Sequence, residues 1–154
     1  MGNTPEIQLN TQRARLNYIA SISNQGAMRF MLYTQKLTAQ VFIVFLERLI
    51  RRRTRKLMWI VDRHPVHRAQ AVKDWFAQHA KDIELFYLPP YSPQLNPAEY
   101  LNCDVKQGVH SKPPSRNQSQ LQQRALSHLR KLQKLPQRIM KYFQHPFIAY
   151  ADHK

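Results

Sequence analysis

The feature that most narrows what this chain can fold into is Leu57-Met58-Trp59-Ile60-Val61, an unbroken apolar run that stops at Asp62. A strand exposed on one face alternates apolar and polar side chains, whereas a continuous run is expected of a strand buried on both faces. Pro65 then breaks the chain, Ala69, Val72, Trp75, Phe76 and His79 recur at helical spacing, and Ile83 to Leu88 is a second apolar run. Strand, helix and strand in that order predict a right-handed parallel crossover. Asp62 falls at the carboxyl end of its strand, the rim on which open α/β sheets place their chemistry.

The segments around this unit fit the same class. Leu16, Tyr18 and Ile22 alternate with Asn17 and Ser21, Asn24-Gln25-Gly26 is turn chemistry, and Met28 to Tyr33 is extended in character, which together predict a hairpin. Thr38 is placed to cap a helix whose apolar stripe is Val41, Phe42, Phe45, Leu46, Leu49 and Ile50, with Arg51-Arg52-Arg53 at its end, where the helix dipole favours cations. After the rigid Pro89-Pro90-Tyr91-Ser92-Pro93 loop, Asn96 caps and Pro97 opens a helix predicted to reach about Val109. Lys112-Pro113-Pro114-Ser115 marks a boundary. We therefore expect a partial α/β domain over residues 1–110 and a basic helical extension over residues 111–154, with a helical stripe of Leu121, Ala125, Leu129 and Leu132 ended by Pro136.

Charge narrows the partner. Twenty-four Lys and Arg against nine Asp and Glu leave +15 at pH 7, a surplus that calls for a polyanion, most commonly nucleic acid. The apolar runs are far short of the roughly 20 residues needed to span a membrane, so no membrane partner is expected. The first residues lack the basic and apolar segments of a secretory signal, and the one cysteine, Cys103, excludes an internal disulfide; a cytoplasmic, nucleoid-associated protein is expected. Cys103 is read as a packed helix residue, Asp104 as solvated, and Trp59 and Trp75 as core.

Acids are scarce, so two of them carry weight. Asp62 closes a buried strand and Glu99 opens a helix; two carboxylates on one rim suit Mg²⁺, or Mn²⁺, which could activate a water or a 3′-hydroxyl for in-line attack on phosphate. The bland alternatives are a strand-end carboxylate that starts a turn, and a capping box in which Glu99 merely reaches back to Asn96. His64 and His67 flank Pro65 beside Asp62 and suit either a phosphate contact or support of the metal ligands; neither has a partner at zinc spacing. Candidate DNA contacts are Arg63, His64, His67, Arg52 and Arg53 of the Arg51–Lys56 run, and Lys112 and Arg116 in the basic tail, with phosphate binding weakened by salt.

The surrounding text sharpens this. Leu88-Pro89-Pro90-Tyr91-Ser92-Pro93-Gln94-Leu95-Asn96-Pro97-Ala98-Glu99-Tyr100 closely resembles the signature before the last acid in the mariner-like branch of DDE transposases. Bacterial insertion-sequence members of that branch also have a strand ending in Asp and a His five positions on, matched by Asp62 and His67. The likeness runs from about Arg13-Ala14-Arg15-Leu16-Asn17 to His145-Pro146-Phe147. It implies an RNase H-like mixed sheet with flanking helices, divalent-metal DNA cleavage and strand transfer, and Asp62 and Glu99 as the second and third metal-binding acids. Arg63 departs from the Asn that often follows the second acid.

The first acid of that family lies on a central strand upstream of the stretch matching Arg13 to Ser23. Only Glu6 precedes it here; we expect Glu6 in the connector after that strand and not as its replacement. A sheet without its central strand would leave two edges unpaired, so marginal stability or dependence on an upstream transposase fragment is expected. Two carboxylates hold metals less well than three, so cleavage by the chain alone should be severely impaired, and a homodimer is a further candidate partner. The alternative to a transposase fragment acting on transposon ends and target DNA is a noncatalytic DNA-binding or assembly remnant that modulates intact transposase.

Overall fold

A computed structural model describes residues 6–8, 15–34, 36–51, 54–90, 92–110, 117–144, 146 and 148. Strands β1 (Glu6–Gln8), β2 (Arg15–Ile22) and β3 (Met28–Tyr33) form an antiparallel sheet in that order. The predicted hairpin is present: Ile19 pairs with Met31, and Ser23 closes the turn by donating its N–H to the Ala27 carbonyl at 2.9 Å and accepting the Ala27 N–H on Oγ at 3.1 Å. Helix α1 (Ala39–Ile50) follows, capped by Thr38, whose Oγ1 accepts the Val41 N–H at 3.2 Å. Its buried residues Phe42, Phe45, Leu46 and Leu49 are the central members of the predicted stripe.

The crossover also forms. Strand β4 (Leu57–Val61) leads through a 3-10 turn at Pro65–Arg68 and helix α2 (Gln70–Gln78) into β5 (Ile83–Tyr87), parallel to β4 with Val61 beside Tyr87. Helices α3 (Ala98–His110), α4 (Gln118–Gln133) and α5 (Pro136–Lys141) complete the chain. Trp59 and Trp75 are core residues as expected. Among the described residues no helix is long and apolar enough to cross a membrane.

Two apolar clusters lie on opposite sides of β2. Tyr18 and Ala20 pack with α3, α4 and α5, through Leu101, Val105, Leu121, Ala125, Leu129, Leu132 and Ile139. Ile19 and Met31 pack instead with α1, β4, α2 and β5. The helices of residues 118–141 thus share one core with β2 and α3. Pro136, expected only to end a helix, also opens α5: its ring suits a first helical position, where no N–H is needed.

Two strands trade the burial that their patterns suggested. β2, which alternates, has both faces covered, with Tyr18 and Ile19 each fully buried. β4, the continuous run, has one covered face; Met58 and Ile60 on the other are 56% and 40% exposed, as is Phe86 at 40% on β5. The reason is that α3 and α4 lie over β2 and β3, and not over the β4–β5 pair.

The edges differ in part from expectation. Glu6, expected in a connector, stands in β1 opposite Asn17, where a short extended segment satisfies backbone groups along the edge of β2 from Arg15 to Asn17. Among the described residues β4 pairs only with β5, so the strands form a three-stranded and a two-stranded sheet.

The hairpin turn meets the C-terminal helices at Gly26, whose φ of +90° is left-handed and whose added Cβ would lie 2.6 Å from Pro136. Strain from the backbone and from the contact add, so Gly26→Ala should destabilise the fold by about 2 kcal/mol or more. Equilibrium urea unfolding measures this; a midpoint equal to wild type would mean that the turn does not abut α5.

Candidate active site

Val61 ends β4, and its carbonyl accepts the Leu88 N–H at 2.8 Å, which locks the carboxyl ends of β4 and β5 side by side. Asp62 then leaves the sheet. Its Oδ1 accepts the His64 N–H at 3.0 Å and lies 3.2 Å from Nδ1 of His67, which also sits 3.0 Å from the Asp62 main-chain oxygen. Both neighbours of Nδ1 are acceptors, so the proton of this imidazole belongs on Nδ1. His67 is fully buried, its ring 4.7 Å from that of Phe42, and the Tyr87 hydroxyl donates to its carbonyl at 2.9 Å. Burial pushes the Asp62 carboxyl upward, but the hydrogen bonds from His67 and from the His64 backbone outweigh it and leave its pKa below the ordinary value. Asp62 is therefore ionised and aimed by a buried imidazole.

The structure groups Asp62, His64 and His67, and it revises what two neighbours do. His67, expected among the DNA contacts, has no exposed surface with which to reach a phosphate; its position suits support of Asp62. His64 Nδ1 accepts the Val66 N–H at 3.1 Å and caps the 3-10 turn, and burial with the nearby His67 lowers its pKa, so it is neutral at pH 7. Arg63 is exposed, but its Nε donates to the Leu88 carbonyl at 3.1 Å and its guanidinium lies 5.8 Å from the Tyr87 ring centre. It fastens the ends of β4 and β5. Arg52, Arg53, Lys112 and Arg116 lie outside the described residues.

Glu99 lies in the first turn of α3, which the chain enters from the carboxyl end of β5. Asn96 Oδ1 accepts the Ala98 N–H at 3.0 Å, so the predicted cap exists. The reciprocal half of a capping box would need the Asn96 N–H, and that group already donates to Pro93 at 3.0 Å. Helix α3 is anchored to the sheet by Tyr18, whose hydroxyl donates to Asn102 Oδ1 at 2.7 Å within the core. Burial raises the Tyr18 pKa well above its usual value, and the nearby Tyr142 and Glu99 push the same way. Asp62 and Glu99 thus sit on connections that leave the same end of β4 and β5. Among the described residues no three or more His, Cys, Asp or Glu side chains gather into a metal-holding group.

One acid is not where the sequence suggested. Asp104, expected to be solvated, is 8% exposed. Arg138 grips both of its oxygens, with Nε to Oδ2 at 2.7 Å; the Tyr142 hydroxyl donates to Oδ2, and His128 Nε2 lies 3.1 Å from Oδ1. These bonds tie α3 to α4 and α5. The close crossing depends on Gly108, since a Cβ there would run into the His128 ring. Cys103, expected to pack, is exposed instead, because α3 buries the opposite side through Leu101, Val105 and Val109. No local pattern pairs Asp104 with a residue 34 positions away; the available hint was that no other acid occurs before Asp152.

The family model described as DDE superfamily endonuclease matches residues 1–122. The chain belongs to this family. No curated protein matches it significantly. Among solved structures, the catalytic domain of Mos1 mariner transposase is similar over 99% of this chain and 81% of that one, at 17% identity and a TM-score of 0.65. Mos1 transposase in a paired-end complex with the left transposon end is similar over 88% of this chain, at 16% identity and a TM-score of 0.57. This chain covers 45% of that protein's length. The HTLV-2 integrase catalytic core in complex with magnesium matches over 83% of this chain and 79% of its own, with 12% identity and a TM-score of 0.56. These likenesses establish the RNase H-like fold of the DDE superfamily endonuclease.

The Asp104 knot has a pH signature. Burial raises the Asp104 pKa, but the bonds from Tyr142, Arg138 and His128 outweigh it and the net shift is downward. Its contribution is therefore fully present above the unfolded carboxyl pKa of about 3.9 and is lost as pH falls through the lower folded value. Asp104→Asn should cost about 2–3 kcal/mol at pH 7, reduced from the fully buried case because the Arg138 side chain is 43% exposed. The deficit should shrink below about pH 4. A deficit that stays constant from pH 7 to pH 3 would contradict the assignment.

Proposed function

We propose that this chain is the C-terminal part of a mariner-like transposase catalytic domain, in which Asp62 and Glu99 hold Mg²⁺ or Mn²⁺ for DNA cleavage and strand transfer. The observation that carries the proposal is the carboxylate of Asp62, kept ionised at the carboxyl end of β4 by His67 in a chain of this family. The donor set fits the ion: two carboxylates offer the hard oxygens that Mg²⁺ prefers. A bound divalent ion supplies an activated water or 3′-hydroxyl and stabilisation of the leaving oxygen. His67 keeps Asp62 in one orientation, and the Tyr18–Asn102 bond holds the helix that carries Glu99.

DNA is the proposed substrate, as transposon end and target. Support comes from the +15 charge and from the transposon end bound by the Mos1 relative. We assign the chemistry to residues 1–110 and additional DNA contact to residues 111–154, including Lys112 and Arg116; Arg52, Arg53, Arg63 and His64 are proposed contacts beside the site. An upstream transposase segment that adds a third carboxylate would complete the ligand set, and a second copy of the chain is a further candidate partner.

Mn²⁺ binding followed by the electron paramagnetic resonance of the free ion tests the ligand assignment without requiring turnover. Asp62→Asn and Glu99→Gln should each weaken binding by about tenfold or more, and His67→Ala by about 10–100-fold through loss of orientation. His67→Asn, which keeps a donor, should retain more affinity than His67→Ala. Unchanged binding in the Asp62→Asn/Glu99→Gln double variant would remove the metal site and leave the noncatalytic DNA-binding alternative.

A further inference from the structure

Away from Asp62, a polar cleft of about 360 Å³ opens where α3, α4 and α5 meet. Gln107 of α3, Arg124, Ser127, His128 and Lys131 of α4, and Arg138 of α5 line it. Its one acid, Asp104, is already bonded to Arg138, Tyr142 and His128, so it orders the wall of the cleft and does not compete for an incoming anion. The Arg138 guanidinium is fixed by that bond, and the side chain is still 43% exposed. On the far side of Ser127 and Lys131 a second cleft of about 560 Å³ carries Arg130 and Lys134. No Asp or Glu occurs in the sequence between Asp104 and Asp152.

We propose that this cleft seats a backbone phosphate of duplex DNA, with the cations of α4 following the same strand to either side. The inference rests on the reading of the chain as a DNA-acting enzyme and adds to it a defined phosphate site on the C-terminal helices. A single small anion would need only the cleft. The cations continue beyond it: from Arg124 to Lys134 they span ten residues, about 15 Å of helix, or the axial rise of roughly four base pairs of duplex. Such a row suits a polyanion. The cleft is also preorganised, because the Asp104 knot holds α5 against α4 before any ligand arrives. Phosphate contacts of this kind position the protein without reading sequence.

The test is anisotropy of a labelled random-sequence duplex with the full chain in EDTA, titrated at salt concentrations from about 50 to 200 mM. Lys131→Gln with Lys134→Gln removes two charges from this surface, and both residues are exposed. Lys73→Gln with Lys81→Gln removes two exposed charges on and just after α2, leaving the same net charge as the first pair. The first pair should weaken binding about tenfold or more at low salt and reduce the slope of log affinity against log salt by about 2; the second should leave the slope near wild type. Equal losses for the two pairs would overturn the site and show only net charge at work. Tighter binding of a single-stranded RNA of the same length would overturn the choice of duplex DNA. Metal is absent throughout, so failure of the cleft stays separate from failure of the metal site. No binding of duplex by the wild-type chain would overturn both the cleft and the DNA reading.

Discussion

Tyr18 and Ile19 are neighbours in sequence, fully buried on opposite faces of one strand, and through that strand two helical layers are joined. A buried phenol must find an acceptor, because leaving its hydroxyl without one costs about 1–3 kcal/mol. Tyr18 finds Asn102, and this bond sets how α3 lies on the sheet. Glu99, one turn earlier on the same helix, is placed by a contact that has no chemistry of its own. On the other face, Ile19 and Met31 share a cluster with Phe42, and the Phe42 ring packs at a tilt against His67, which in turn holds Asp62. Both candidate acids therefore trace back to the double burial of β2.

The two acids held below their ordinary pKa use opposite strategies in a strongly basic chain. Asp104 has both oxygens engaged by side chains from α4, α5 and the residue following α5, an arrangement that suits a structural tie and leaves little for a ligand. Asp62 is oriented by His64 and His67, both within five residues of it. The first arrangement fastens distant parts of the chain; the second orients one carboxylate at a rim. Burial alone would not separate these roles, since both acids lie at least partly inside and both are bonded by a histidine.

Much of this architecture was legible because it rests on local signals. The hairpin follows from Asn24-Gln25-Gly26 between extended runs, α1 from Thr38 and its stripe, α4 from Leu121, Ala125, Leu129 and Leu132, and the parallel crossover from two apolar runs around a helix. What escaped depends on which element lies over which. The alternation of β2 gave no sign that Ile19 would be covered by α1, nor did the unbroken run of β4 show that Met58 and Ile60 would lack a covering helix. Asp62 and Glu99 could be marked from their positions and from the proline-rich signature. The burial of His67, the clip made by Arg63 and the Asp104 knot are products of packing between distant segments, and residue spacing carries no record of them.

The central claim is that Asp62 and Glu99 share one divalent ion. Diffraction from crystals grown with Mn²⁺, recorded for its anomalous signal, tests it most directly. The account predicts an anomalous peak bonded to carboxylate oxygens of both residues, with His67 still bonded to Asp62. Carboxyl groups facing different sides of the molecule, with no peak between them, would contradict it.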